Sequence, residues 1–143
     1  ATGGHGVPTP PDLHGKTPLV PARVSACAMD HGPYHQLQDD LRGPYRALGD
    51  AIPEVMGAYR ALGGAAMAEG ALSAKTKELI ALAVSVTREC DGCIVAHARG
   101  AARRGATDAE VGETLGVAIN MNGGPATVWG ARALAAYREY AEG

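Results

Sequence analysis

Cys90-Asp-Gly-Cys93-Ile-Val-Ala-His97 puts two thiols and an imidazole within eight residues, and Glu78 stands one apolar segment upstream. On a helix these positions share one side. A thiol pair with a proton carrier beside it is equipped for redox chemistry. Cβ atoms at i and i+3 lie about 5–6 Å apart, whereas a disulfide wants about 3.5–4.5 Å. Closing Cys90 to Cys93 therefore calls for local adjustment, most easily in a frayed first turn, and Gly92 between them permits unusual backbone angles. A bridge closed under such strain is easily reduced, which suits a catalyst better than a staple.

Helical side chains lean toward the N-terminus, so His97 leans back on Cys93. It can take the thiol proton and then stabilise the thiolate as imidazolium, and the helix start adds partial positive charge. Glu89 and Asp91 flank Cys90 and disfavour its thiolate, leaving Cys93 the stronger nucleophile. Glu78 is the only acid in an otherwise apolar helix. It is either an ordinary helix-start glutamate or the group that orients or deprotonates His97.

Other uses of the cysteine pair fit less well. A c-type haem site needs histidine directly after the second cysteine, where this chain has Ile94. A closed zinc site needs four ligands, and the fourth would have to be Cys27, far away on an irregular segment. A thioredoxin-like site needs strands. An inert buried pair is the plain alternative.

The elements that must carry these residues are helical. Leu37, Leu41, Tyr45 and Leu48 form one apolar stripe, which Pro44 is expected to kink or split. Pro53 suits the first turn of a restart, and Val55, Met56, Tyr59 and Leu62 give a second buried stripe that Gly63-Gly64 should end. Ser73 is an N-cap for the apolar central helix that bears Glu78. A break over residues 87–92 starts the helix of the cysteines, which Gly105 ends. Thr107-Asp-Ala-Glu110 is a capping box, and Asn122-Gly-Gly-Pro125 is a stop followed by a start. Gly112-x-x-x-Gly116 suggests a close helix contact, and Trp129 and the tyrosines suggest core or interface rather than a cofactor cage. No segment alternates long enough to be a strand, so the fold class is all-α.

Residues 1–36 hold six of the nine prolines and four of the five histidines. We read them as an extended or mobile arm, and 37–143 as the folding unit. His5, His14, His31 and His35 are too irregularly spaced for a metal site. The net charge is −2 with a pI of about 6.2. Its densest basic patch (Arg88, Arg99, Arg103 and Arg104) is short, so no nucleic-acid partner is expected. No apolar run approaches the roughly 18 residues of a membrane span. Three cysteines cannot close a disulfide framework, which fits a reducing, cytoplasmic setting, although the start at Ala1 is compatible with a removed signal peptide. A unit this small gains from forming a homo-oligomer.

Glu78-x11-Cys90-x2-Cys93-x3-His97 resembles the core motif of the AhpD-like alkylhydroperoxidases, in the carboxymuconolactone decarboxylase superfamily. The likeness extends to Lys77-Glu-Leu-Ile-Ala-Leu-Ala-Val, to Gly105-Ala-Thr-Asp-Ala-Glu-Val and to the Asn122-Gly-Gly-Pro125 break, over residues 37–141. It implies a helical bundle around an antiparallel helix pair, assembled as trimers or hexamers, with no cofactor beyond the redox disulfide. It further implies a peroxidase or disulfide reductase acting on small hydroperoxides. Cys93 would attack the peroxide, Cys90 would resolve, and Glu78 and His97 would relay protons. A dithiol reductant such as a lipoylated protein would reopen the bridge at the more exposed Cys90. The best-known member has a further histidine between its cysteines, where this chain has Gly92, so the relay here is shorter. Two rivals stand beside this: acid–base lactone decarboxylation by Glu78 and His97 with the cysteines as bystanders, and a non-catalytic redox-sensing helical oligomer. Members that decarboxylate muconolactone generally lack the cysteine pair.

Overall fold

Each helix boundary follows from a local signal. The computed structural model describes residues 32–143, and the described residues form α1 (Pro33–Ala51), α2 (Pro53–Met67), α3 (Ala74–Thr87), α4 (Asp91–Arg103), α5 (Asp108–Asn122) and α6 (Gly124–Glu142), with no strand among them. Ser73 caps α3 by accepting the Thr76 N–H at 3.1 Å. Thr107 and Glu110 close the capping box of α5. Pro53 opens α2, Gly105 follows α4 with φ +69°, and Gly123, also at +69°, separates α5 from α6.

The core lies among α3, α4, α5 and α6 and is built from small residues. Leu82 and Val86 of α3 meet Ile94, Ala98 and Ala101 of α4, Val111 and Leu115 of α5, and Ala126, Ala133 and Ala136 of α6. Alanine at these crossings lets the backbones approach closely, which replaces the aromatic filling that a chain without phenylalanine lacks. Tyr137 is buried, and its hydroxyl donates to the carbonyl of Ala106, tying α6 to the α4–α5 connection. Burial, first, and the nearby carboxylates of Asp108 and Glu110 hold its phenol above the ordinary range.

Several expectations need correction. The first helix starts at Pro33, inside the segment read as an arm, and runs unbroken through Pro44. It is anchored by α6: the Glu139 carboxylate accepts the backbone N–H groups of Tyr34 at 3.2 Å and His35 at 2.7 Å, and lies 2.7 Å from His35 Nδ1. Gly32 offers no capping side chain, so Glu139 serves as the cap from another helix. Burial alone would raise the Glu139 carboxyl, but the His35 and Tyr34 hydrogen bonds together outweigh it and hold the group below its usual value. The Tyr140 ring lies 4.2 Å from that of His35, and its hydroxyl donates to the Tyr34 carbonyl. His5, His14, His31 and Cys27 lie outside the described residues.

The two N-terminal stripes are not buried. No residue of α1 is fully buried, and in α2 only Met56 is. Val55, Tyr59 and Leu62 are 63%, 62% and 66% exposed. The periodicity is that of an amphipathic helix, but α2 packs only on α1 and α3, so nothing among the described residues covers its apolar side. It also continues past Gly63-Gly64 to Met67. Gly112 and Gly116 face outward with no neighbouring helix against them.

Candidate active site

The approach to the cysteines is set by the end of α3. Arg88 caps the helix, and Glu89 turns the chain with φ +54°, the only described residue other than glycine in the left-handed region. The chain reverses there, and Cys90 becomes the N-cap of α4, extended rather than helical. Cys93 sits in the first turn. That non-helical cap supplies the adjustment the pair needs: Cα atoms 5.2 Å apart and Cys90 bridged to Cys93. Cys90 Sγ also accepts the Cys93 N–H at 3.2 Å. Gly92 contributes differently from expectation. Its backbone is ordinary helix, and a Cβ there would stand 3.2 Å from the Leu41 methyl. Its value is room for α1.

Glu78 and His97 meet across the α3–α4 contact. Glu78 is 8% exposed, and its Oε2 lies 2.8 Å from His97 Nδ1. A carboxylate can only accept, so Nδ1 carries the proton and Nε2 is the acceptor of the neutral ring. The other oxygen, Oε1, accepts from Arg104 Nε at 3.3 Å. A Cβ on Gly100 would overlap the carboxylate, so the acid rests directly on the α4 backbone.

Cys90, Cys93 and His97 open into one groove of about 690 Å³. Its far wall is apolar: Leu41, Pro44, Tyr45 and Leu48 of α1 and Tyr59 of α2, with Gln38 and Arg42 as polar members. The α1 stripe read as core is therefore the wall of this groove, with Leu41 at 42% and Leu48 at 49% exposure. The two sulfurs differ in the reverse sense to that expected: Cys93 is exposed and Cys90 only half-exposed. Asp91, read as a burden on the Cys90 thiolate, is paired with Arg132 at 2.8 Å, and that guanidinium lies 4.6 Å over the Trp129 ring.

Thus Glu78, Cys90, Cys93 and His97 are brought to one place. Two participants escape a reading of the sequence alone. Gly100 and Arg104 lie at i+3 and i+7 from His97, the helical spacing that puts them on the face His97 turns to Glu78. That spacing is the available signal, but by charge alone Arg104 falls into the basic patch. Among the described residues there is no cluster of three or more His, Cys, Asp and Glu side chains suited to a metal, and no helix long and apolar enough to cross a membrane.

The family model described as the carboxymuconolactone decarboxylase family matches residues 53–136. A solved structure of a carboxymuconolactone decarboxylase family protein from Legionella pneumophila superposes with a TM-score of 0.73 at 38% identity, over 76% of this chain and 96% of that one. An uncharacterized protein of Haemophilus influenzae is 51% identical over 68% of this chain and 86% of its own length. One of Cupriavidus necator is 38% identical over 67% and 85%.

Proposed function

This chain belongs to the carboxymuconolactone decarboxylase family, and from that premise we propose that it is a thiol-dependent peroxidase of the AhpD-like kind, reducing small organic hydroperoxides through a Cys90–Cys93 dithiol–disulfide cycle. One observation carries the proposal: both sulfurs and His97 share one apolar groove, and the ring is held by a buried carboxylate.

In the reduced protein His97 Nε2 takes the proton of Cys93. The thiolate attacks the terminal peroxide oxygen, the O–O bond breaks, and the departing alkoxide recovers a proton from His97 as an alcohol. Cys93 is now a sulfenic acid. Cys90 attacks its sulfur, the S–S bond forms and water leaves. In sum, two thiols and one hydroperoxide give a disulfide, an alcohol and water, the sulfurs supplying two electrons. An external dithiol, such as a lipoyl group on a carrier protein, restores the thiols and is itself oxidised to a disulfide. The exposure order favours its attack on Cys93. Cys90 then leaves as a thiolate at a helix start, where the Cys93 N–H and the dipole stabilise it. Such a cycle suits a reducing compartment such as the cytoplasm. Further copies of the chain, as a trimer or hexamer, would cover the apolar faces of α2 and of Ile80 and Val84 on α3, which are 50% and 54% exposed.

Reduced protein treated with stoichiometric cumene hydroperoxide should lose both active-site thiols, and dihydrolipoamide should restore them. Thiols that persist at stoichiometric peroxide would overturn the proposal. The Glu78–His97 pair stands without help from sulfur, which favours a second reading, lactone decarboxylation by acid–base chemistry. The double variant Cys90→Ser/Cys93→Ser separates the two: turnover of a lactone by that protein would favour the second.

A further inference from the structure

We propose that Arg104 is a positioning residue for the active-site base: it holds one oxygen of Glu78 so that the other stays on His97 Nδ1 and leaves Nε2 as the proton acceptor. The assignment concerns the base of the proposed peroxidase and rests on that reading for its kinetic consequence, though not for its structural one.

The need for a second contact comes from the carboxylate. The terminal torsion of a glutamate is broad and roughly two-fold, so a single hydrogen bond leaves the group free to rock. Glu78 is nearly buried, and an oxygen without a donor there carries a desolvation cost. Its two oxygens meet His97 Nδ1 at 2.8 Å and Arg104 Nε at 3.3 Å. Gly100, between them on α4, lets the carboxylate settle against the helix. His97, Gly100 and Arg104 thus form one stripe at i, i+3 and i+7: recipient, seat and clamp. Arg104 is the C-cap of α4 and presents a planar guanidinium donor to the carboxylate. Its side chain is 41% exposed, so its loss should leave the fold intact. What it changes is the direction of the Glu78–His97 hydrogen bond, and through it which ring nitrogen bears the proton.

The test compares Arg104→Ala and Arg104→Lys with the unaltered protein. Long-range nitrogen–proton NMR at mildly alkaline pH reads the His97 tautomer, and stopped-flow thiol loss after cumene hydroperoxide reads the rate. Arg104→Ala should shift His97 from the Nδ1–H form toward a mixture and slow thiol loss by about tenfold, the scale of orienting contacts of this kind. Its amide spectrum elsewhere should be unchanged. Arg104→Lys, whose ammonium can still donate to Oε1, should recover most of both. An unchanged tautomer and rate in Arg104→Ala would overturn the assignment, and so would a loss that lysine restores in neither measurement. If the unaltered protein fails to react with peroxide, the peroxidase reading falls, while the tautomer measurement still decides the role of Arg104.

Discussion

Replacing Gly100 by alanine should separate stability from reactivity at this site. A methyl group there would occupy the volume of the Glu78 carboxylate, and the α4 backbone that bears it cannot move without disturbing Ala98 and Ala101, both fully buried. The carboxylate must move instead. It then loses His97 Nδ1 at 2.8 Å and Arg104 Nε at 3.3 Å. Hydrogen bonds to a charged group are worth about 1.5–3 kcal/mol each, although Arg104 and His97 are partly exposed and the Arg104 contact is long, so about 1–3 kcal/mol in all is reasonable. Against this, alanine in a helix interior is favoured over glycine by about 1 kcal/mol. The net change in stability is a loss of about 0–2 kcal/mol. The base, however, loses its orienting acid altogether. Thiol oxidation by cumene hydroperoxide should slow by about 10–100-fold, measured by stopped flow on the reduced protein, with thermal melting as the control. A Gly100→Ala protein that keeps full reactivity would refute the claim that the carboxylate must rest on Gly100. A fall in rate matched by gross unfolding would refute the separation.

Glu89→Gly should stabilise the protein by about 0.5–1 kcal/mol, because glycine accepts the left-handed turn without steric cost; no gain in urea unfolding would count against strain at that residue. Glu139→Gln should leave the core intact but raise amide exchange in the first turns of α1 by about tenfold, one charged cap being worth about 1 kcal/mol or more; unchanged exchange would remove Glu139 as the cap. Since the Glu139 carboxyl is held below its usual value, its contribution is complete above the ordinary carboxylate range and is lost as pH falls through the depressed value. Exchange in α1 should therefore rise in acid before exchange in α4 does, and simultaneous release would contradict the sign.

Where one side chain speaks to its own helix, the sequence was legible. Ser73, Thr107 with Glu110, Gly105 and the Asn122–Pro125 break each satisfy backbone groups within a few residues, so their effect is local and the boundaries fall where the residue types put them. The cysteines, His97 and Glu78 were legible for a similar reason: three of the four lie within eight residues at and after one helix start, and the fourth carries a charge into an apolar segment. What escaped was set by contacts between distant positions. Pro33 begins a helix because Glu139, more than a hundred residues on, supplies the cap. Leu41, Tyr45 and Leu48 have the period of a core stripe, but periodicity gives the face and not what lies opposite it, which here is the groove before the cysteines.

The same distinction explains how the site divides its labour. The proposed sulfur chemistry falls at the start of α4, where the cap already departs from helix and two sulfurs can meet without bending a regular turn. The proposed control of the proton lies one to three turns further on, where His97 and Gly100 in regular helix and Arg104 at the C-cap are spaced along Glu78. In the proposed cycle, opening and closing the bridge would move the irregular cap, while His97 sits on the part of α4 that the core clamps through Ala98 and Ala101. On the proposed cycle the base would thereby be insulated from the one covalent change that each turnover makes. It follows that reduction should perturb amide signals of Cys90–Cys93 strongly and those of His97–Ala101 little. Comparable shifts along the whole of α4 would show that sulfur chemistry and proton control are mechanically coupled after all.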